Sequence, residues 1–392
     1  MLPSKGKSLL GVLWVGVFGR KMKLKSSYVQ RLVAASGCFA AIVFATIFIA
    51  QRAWAQETKE KVTVDDGDRS FMVRLPKGYD AKQHYPVVIL LHGMNQDPED
   101  MERLTGFDAL ADKDGIIAVY PIAVHGRWNA GVRPQEARPA TMGPGRRGRY
   151  GGGGYPGGGG GGYPGGGGGY PGGGGQQPQS KEPDEDRRPA AADDVAFFAA
   201  MLDQLGTKFS VDTSRIYAAG LSEGGFMSLR LACALGDRLA AVAAVSAAMP
   251  KTMICLPSRP VPVVMISGTS DPVVPYGGGT EHNMNLATLS VEDSAKTWAK
   301  YDRCGEKPEK SKLPAAGKGG METKVDTYNG CQKDAQVVLY SIKGAGNTWP
   351  GGEQYEAENA IGKTSADLNA DEVLWNFFAA RKLPATAAEQ KQ

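Results

Sequence analysis

The stretch RIYAAGLSEGGFMS, Arg215 to Ser228, decides how the rest of the chain is read. Its first six residues form a strand-like apolar run, and from Gly224 onward apolar residues recur at helical spacing. Between them stands Gly220-Leu221-Ser222-Glu223-Gly224. Small residues two before and two after a serine let a strand turn abruptly into a helix and lift the hydroxyl above the sheet. Gly-x-Ser-x-Gly occurs by chance in many chains. Bracketed by strand and helix, it predicts a nucleophile at Ser222 rather than a helix-capping serine, with the Glu223 backbone N–H directed at a developing oxyanion.

Outward from this stretch, apolar runs bounded by turn residues recur at 71–76, 85–93, 115–121, 261–268 and 335–344. Helical patterns alternate with them at 192–205, 224–235, 290–302 and 371–382, and Ser290 with Asp293 three later marks a helix start. Strand and helix in alternation predict an α/β fold, a mostly parallel central sheet with helices on both faces. In such sheets function sits in the loops at the carboxyl ends of the strands.

Three further loops of that kind carry chemistry. LLHGMNQD, Leu90 to Asp97, follows a strand, and its His-Gly turn supplies a second oxyanion donor from the backbone at Met94, leaving His92 a structural role. ISGTSDPVVPY, Ile266 to Tyr276, places Asp271 just past the next core strand, where a chain of the order serine, acid, base keeps the carboxylate that orients its histidine; a plain Asp-Pro turn is the competing reading. SIKGAGNTWPGG, Ser341 to Gly352, follows the last core strand, where that histidine belongs, and presents Asn347, an amide that accepts no proton near neutral pH. Of the four histidines, His84 precedes a core strand on the wrong side of the sheet, whereas His125 and His282 lie in loops from which a substitute base could reach Ser222. Trp128 and Trp349 are candidate pocket walls.

The 53 glycines are too many for an ordinary domain, so segments outside the fold are expected. Residues 1–55 read as a secretory signal peptide, with a basic stretch, an apolar run from Leu32 to Ala50 and a small-x-small site at Ala53-Trp54-Ala55; Met22 is an alternative start, and an uncleaved membrane anchor the competing reading. These residues carry eight Lys/Arg and no Asp/Glu, so the chain's net charge of +4 becomes −4 once they leave, too little positive charge for a nucleic-acid surface. Cleavage implies a secreted or periplasmic protein with no membrane contact. Residues 150–189 repeat a Tyr-Pro-Gly unit within glycine and end in a charged tail, which predicts a flexible insert in a single domain over 56–392. It is either a tolerated loop expansion or a tether to an envelope or polymer surface. Cys38 leaves with the signal, and the even number that remains, Cys233, Cys255, Cys304 and Cys331, favours two disulfides; their spacings lack the close pairs of a zinc site, and no metal or cofactor is implied.

The elbow, LHGMNQD, RWNAG (127–131), DDVAF (193–197), SGTSDPVVPY and GAGNTWPG together resemble the polyhydroxybutyrate depolymerase / feruloyl esterase family of secreted α/β-hydrolase serine esterases. The likeness runs from about residue 60 to 382 apart from the insert. It implies an α/β-hydrolase fold, Ser222 as nucleophile, Asp271 as acid, the pairings Cys233–Cys255 and Cys304–Cys331, and a small or polymeric ester as substrate, either a hydroxyalkanoate polyester or a hydroxycinnamate ester. Two departures stand out: Glu223 where the family usually has Asn, and Asn347 where it has His. They leave two expectations, an ester hydrolase with a relocated base, or a pseudoesterase that binds an ester or aromatic ligand without turning it over.

Overall fold

A computed structural model describes residues 56–131, 192–281, 286–317 and 319–384. The segments read as signal peptide and glycine-rich insert lie outside the described residues, as does His282. The strands are β1 (Gln56–Val64), β2 (Gly67–Leu75), β3 (Tyr85–Leu91), β4 (Ile117–Pro121), β5 (Val211–Leu221), β6 (Ala241–Val245), β7 (Val263–Gly268), β8 (Gly279–Glu281), β9 (Leu286–Thr288), β10 (Glu309–Leu313), β11 (Thr323–Tyr328) and β12 (Val337–Ile342). The helices are α1 (Pro98–Thr105), α2 (Phe107–Asp114), α3 (Asp194–Lys208), α4 (Glu223–Ala234), α5 (Val291–Tyr301), α6 (Glu358–Ile361) and α7 (Ala370–Ala379).

Ten strands form one sheet in the order β1-β2-β4-β3-β5-β6-β7-β12-β11-β10. The six from β4 to β12 run parallel, and an antiparallel pair closes each edge. Residues alternate between faces along each buried strand. Val87, Ile89 and Leu91 of β3 join the core beneath α3, α4 and α5, where Phe198, Phe226 and Trp298 pack, while Val88 and Leu90 join the core beneath α1, α2 and α7, with Leu104, Phe107 and Phe378. The sheet is therefore covered on both faces, the expected α/β-hydrolase arrangement. Ser290 caps α5 as the sequence predicts, its hydroxyl accepting from the Asp293 N–H at 2.9 Å.

Topology fixes where a site can form. Strand β4 lies outside β3, and the chain then crosses to place β5 on the other side of β3, so the order reverses between β3 and β5. The loops after these two strands part there, and a crevice opens at the carboxyl edge. Leu91 pairs with Gly220, and Ile342 with Gly268, so the ends of β3, β5, β7 and β12 stand level along one edge.

Disulfides join Cys233 to Cys255 and Cys304 to Cys331, the pairings the resemblance implies. The first ties the end of α4 to the segment after β6, and the second ties the end of α5 to the turn between β11 and β12. Their sequence separations of 22 and 27 residues correspond to loop-closure stabilisation of about 3 kcal/mol each. Cys304→Ser with Cys331→Ser is accordingly expected to lower unfolding free energy by roughly 2–4 kcal/mol in urea titration.

Three buried carboxyls, Asp271, Asp302 and Asp371, are each pushed up to about 7, chiefly by desolvation. A carboxyl raised in the folded state contributes stability that is fully present below its unfolded value and is lost as pH rises through the folded one. Between pH 6.5 and 8 the native protein must deprotonate these groups while the unfolded chain has already done so. Unfolding free energy is therefore expected to fall by roughly 2–4 kcal/mol over that interval, measurable by denaturant titration at the two pH values; the absence of a fall would show that these carboxyls are already ionised in the folded state.

Candidate active site

Strand β5 ends at Leu221 and α4 begins at Glu223, leaving Ser222 alone at the turn with φ 54° and ψ −115°. A non-glycine residue in this region costs about 1–3 kcal/mol and persists only where its surroundings impose it. Here the imposing contact is backbone against backbone. A Cβ on Gly224 would lie 2.2 Å from the Leu91 carbonyl oxygen, and one on Gly220 would lie 2.3 Å from the Gly224 carbonyl. The Ser222 N–H donates to Val245 O at 2.9 Å and its carbonyl accepts from Phe226 N at 3.0 Å, so the backbone is held from both sides. Its side chain makes no capping hydrogen bond to α4, which removes the helix-capping alternative. The hydroxyl instead faces a cavity of about 670 Å³.

The loop after β3 forms one wall of that cavity through Gly93, Met94, Asn95 and Gln96. Its turn is braced by the Gln96 side chain, which accepts from the Gly93 N–H at 2.8 Å, and by Asn95 N donating to Gly126 O at 2.9 Å. Met94 thus faces the same space as Ser222, as a backbone oxyanion donor must. His92 is buried, with Nδ1 donating to Gly93 O at 2.7 Å and Nε2 accepting from Ala123 N at 3.2 Å. Burial holds its pKa below the ordinary imidazole value. Both ring nitrogens serve the backbone, as its structural reading requires.

Glu223 opens α4 directly after Ser222 and is itself buried. Its carboxylate accepts from Arg127 Nε at 3.0 and 3.2 Å. Arg127 is next to Gly126, the residue that holds Asn95, so one ion pair links the elbow to the opposite wall.

Asp271 lies three residues past β7 and is 8% exposed. Its Oδ1 accepts from the N–H groups of Val273 and Val274, each at 2.8 Å, and its Oδ2 accepts from Asn347 Nδ2 at 2.9 Å. Asn347 therefore stands in the place of the expected histidine and makes the hydrogen bond to Asp271 that a histidine ring would make. Its Nδ2 also reaches Ser246 O at 3.4 Å. On the other side Tyr355 donates to Asn347 O at 2.9 Å and approaches Oδ1 at 3.4 Å. The loop can be this tight because Gly346 has no side chain: a Cβ there would lie 2.0 Å from Ile361 O. Ser222, Asn347 and Tyr355 all line the one cavity, with Asp271 directly behind.

The two tryptophans expected as walls are not walls. Trp128 is fully buried beneath the β3 loop, its indole N–H donating to His92 O at 2.9 Å, and Trp349 is fully buried on the other face, donating to Asp371 Oδ1 at 2.9 Å. An indole N–H placed in a core needs such a partner, and each finds one that fastens a functional loop from behind. The actual walls are mixed, with Asn95, Gln96, Asp100, Arg103, Glu356 and Asn359 beside Met94, Pro272, Val273 and Ile361. Tyr355 carries no sequence signal of its own, lying in a stretch without periodicity, and Arg127 opens the RWNAG motif with nothing in the pattern to mark it as the partner of Glu223. Among the described residues no histidine lines the cavity. His125 sits exposed at a turn with φ 52°, and His84 hydrogen-bonds Val211 O at the opposite end of β3.

Two family models match the chain, one described as "Putative esterase" over residues 63–146 and one as "Phospholipase/Carboxylesterase" over residues 179–303. A relative named "Putative esterase NocK", from Nocardia uniformis subsp. tsuyamanensis, is 27% identical over 335 residues, covering 83% of each chain. Feruloyl esterase B of Piromyces equi is 33% identical over 163 residues, 40% of this chain and 29% of that protein, so the chain spans under a third of its length. Among solved structures, an acetyl xylan esterase from Aspergillus awamori aligns with a TM-score of 0.43 and 14% identity, over 74% of this chain and 94% of that one. With these sequence matches, the covered parallel sheet and the elbow on it, the chain has an α/β-hydrolase fold and is similar in sequence to esterases, feruloyl esterases among them.

Proposed function

We propose that this chain is a carboxylic ester-binding member of its family in which Ser222 and its oxyanion donors remain and the general base does not. The observation that carries this reading is Asn347, fixed at 2.9 Å from Asp271 and lining the Ser222 cavity. An amide takes no proton near neutral pH, so it neither activates the serine hydroxyl nor returns a proton to the leaving alcohol. In comparable triads, removing a member costs on the order of 10⁴–10⁶ in turnover and leaves roughly 10³–10⁴ over water from oxyanion hole and binding. Ester turnover at this site is therefore residual. The mixed cavity walls suit an ester with both apolar and polar parts. The two disulfides favour an oxidising compartment outside the cytosol.

The pseudoesterase reading is thus preferred to that of a relocated base. Asn347→His supplies an imidazole beside Asp271 and is expected to raise kcat/KM for p-nitrophenyl acetate by about 10²–10⁴-fold, with a pH profile rising through a single group near the imidazole range. Thermal unfolding confirms that the variant folds. If the wild type already turns over steadily and Asn347→His adds nothing, another group serves as base.

A further inference from the structure

The missing base bears unequally on the two halves of an esterase cycle, and this deepens the functional reading above, on which it rests. We infer that Ser222 is an acyl acceptor that retains its acyl group: the site takes one acyl unit from an activated donor, such as an aryl ester or thioester, and does not release it on the timescale of turnover.

In the first half, Ser222 Oγ bonds to the acyl carbon, the bond from that carbon to the leaving group breaks with its electron pair, and the hydroxyl proton passes to solvent water. The leaving phenolate or thiolate is stable without a proton, so this half needs no general acid. The elbow already holds the hydroxyl out of hydrogen bonding with α4, Met94 lines the same cavity as Ser222, and the inferred oxyanion donors are the Met94 N–H and that of Glu223 at the start of α4. Without a base the step is slow, but the donor's own reactivity drives it.

In the second half the electrophile is an acyl-serine, an ordinary alkyl ester. Water must be deprotonated as it attacks, and the Ser222 oxygen must be protonated as it leaves. A histidine at 347 would do both. Asn347 does neither, because its Nδ2 is committed to Asp271 at 2.9 Å and to Ser246 O at 3.4 Å. Among the described residues no other imidazole lines the cavity to replace it. Tyr355 is a donor to Asn347, and burial keeps its hydroxyl protonated. Asp271 faces its backbone donors and the Asn347 amide rather than the cavity. Asp100 is held by Arg103 at 2.9 Å and accepts from the Asp97 N–H at 3.4 Å, and Glu356, which lines the cavity, is an exposed carboxylate rather than an imidazole. Among the described residues the acyl-serine thus meets no imidazole to take a proton from water.

The test uses the purified full-length chain and p-nitrophenyl acetate, followed by intact mass spectrometry, peptide mapping and nitrophenolate release. The expected result is a burst of one equivalent followed by little further release, one acetyl group per chain mapped to Ser222, and persistence over hours. Ser222→Ala, which keeps a Cβ at the elbow and is checked for folding, takes up no acetyl at that position. Asn347→His is expected to speed deacylation by about 10²-fold or more, so the adduct disappears into steady turnover. Sustained release by the wild type without an adduct overturns both retention and the base-less reading. Acetylation confined to lysine or tyrosine peptides overturns retention. So does a wild type that binds methyl ferulate by calorimetry yet takes up no acetyl, and that result leaves the binding reading standing.

Discussion

The close approach of two backbones at the end of β5 is the constraint on which the site depends. Gly224 touches the Leu91 carbonyl and Gly220 touches Gly224, so the chain entering from β5 must leave into α4 within a single residue. That residue has no room to relax its left-handed φ, and the cost falls on Ser222. The same contact sets the position of the β3 loop, because Leu91 is the last residue of β3 and His92 begins the turn that carries Met94. One packing contact thus places Ser222 and the start of α4 relative to the loop that carries Met94. Nothing in it involves residue 347, so the elbow keeps its shape whether or not a base is present.

Asn347 changes electrostatics more than geometry. A histidine at this position would become a cation during reaction, and Asp271 would then face a positive partner. The amide offers one polar N–H and no charge, so desolvation wins and Asp271 is held near 7, with Glu281 pushing in the same direction. A carboxyl that is partly protonated at neutral pH still satisfies Val273, Val274 and Asn347 by hydrogen bonding, which explains how the row stays ordered without its cation. The hydrogen bonds that once would orient a ring now orient an amide.

Much of this was legible in the sequence, and the rest was not for identifiable reasons. Central strands flanked by helices on both faces read as unbroken apolar runs, so β3, β5, β7 and β12 could be placed within a few residues. Strand β6, AVAAV, did not stand out, since alanine has no strand signal and the segment is a strand only because β5 and β7 pair with it on both sides. Strand β1 and strand β10 are edge strands with largely exposed, charged residues, and their pairing is set by neighbours rather than by pattern. At the site, loop position relative to a strand end sufficed to bring Ser222, Met94, Asp271 and Asn347 together. Side-chain direction did not follow from position, and so Trp128 and Trp349, adjacent to functional loops in sequence, point into the core.

Glu223 shows how a local departure is absorbed. A carboxylate next to a nucleophile should oppose an oxyanion, and burying it unpaired would be costly. The chain answers both difficulties with Arg127, whose guanidinium Nε meets both carboxylate oxygens and neutralises the charge. Because Arg127 belongs to the turn that also holds Asn95, the pair does more than cancel a charge: it spans from the start of α4 to the loop after β3. Removing either partner would leave a buried or half-buried charge and loosen the link between helix and loop together. The elbow is therefore held by the fold's own packing and ion pairing, whereas the proton transfer considered for this site depends on the one side chain at 347, and that asymmetry lets the elbow keep its shape where no imidazole stands.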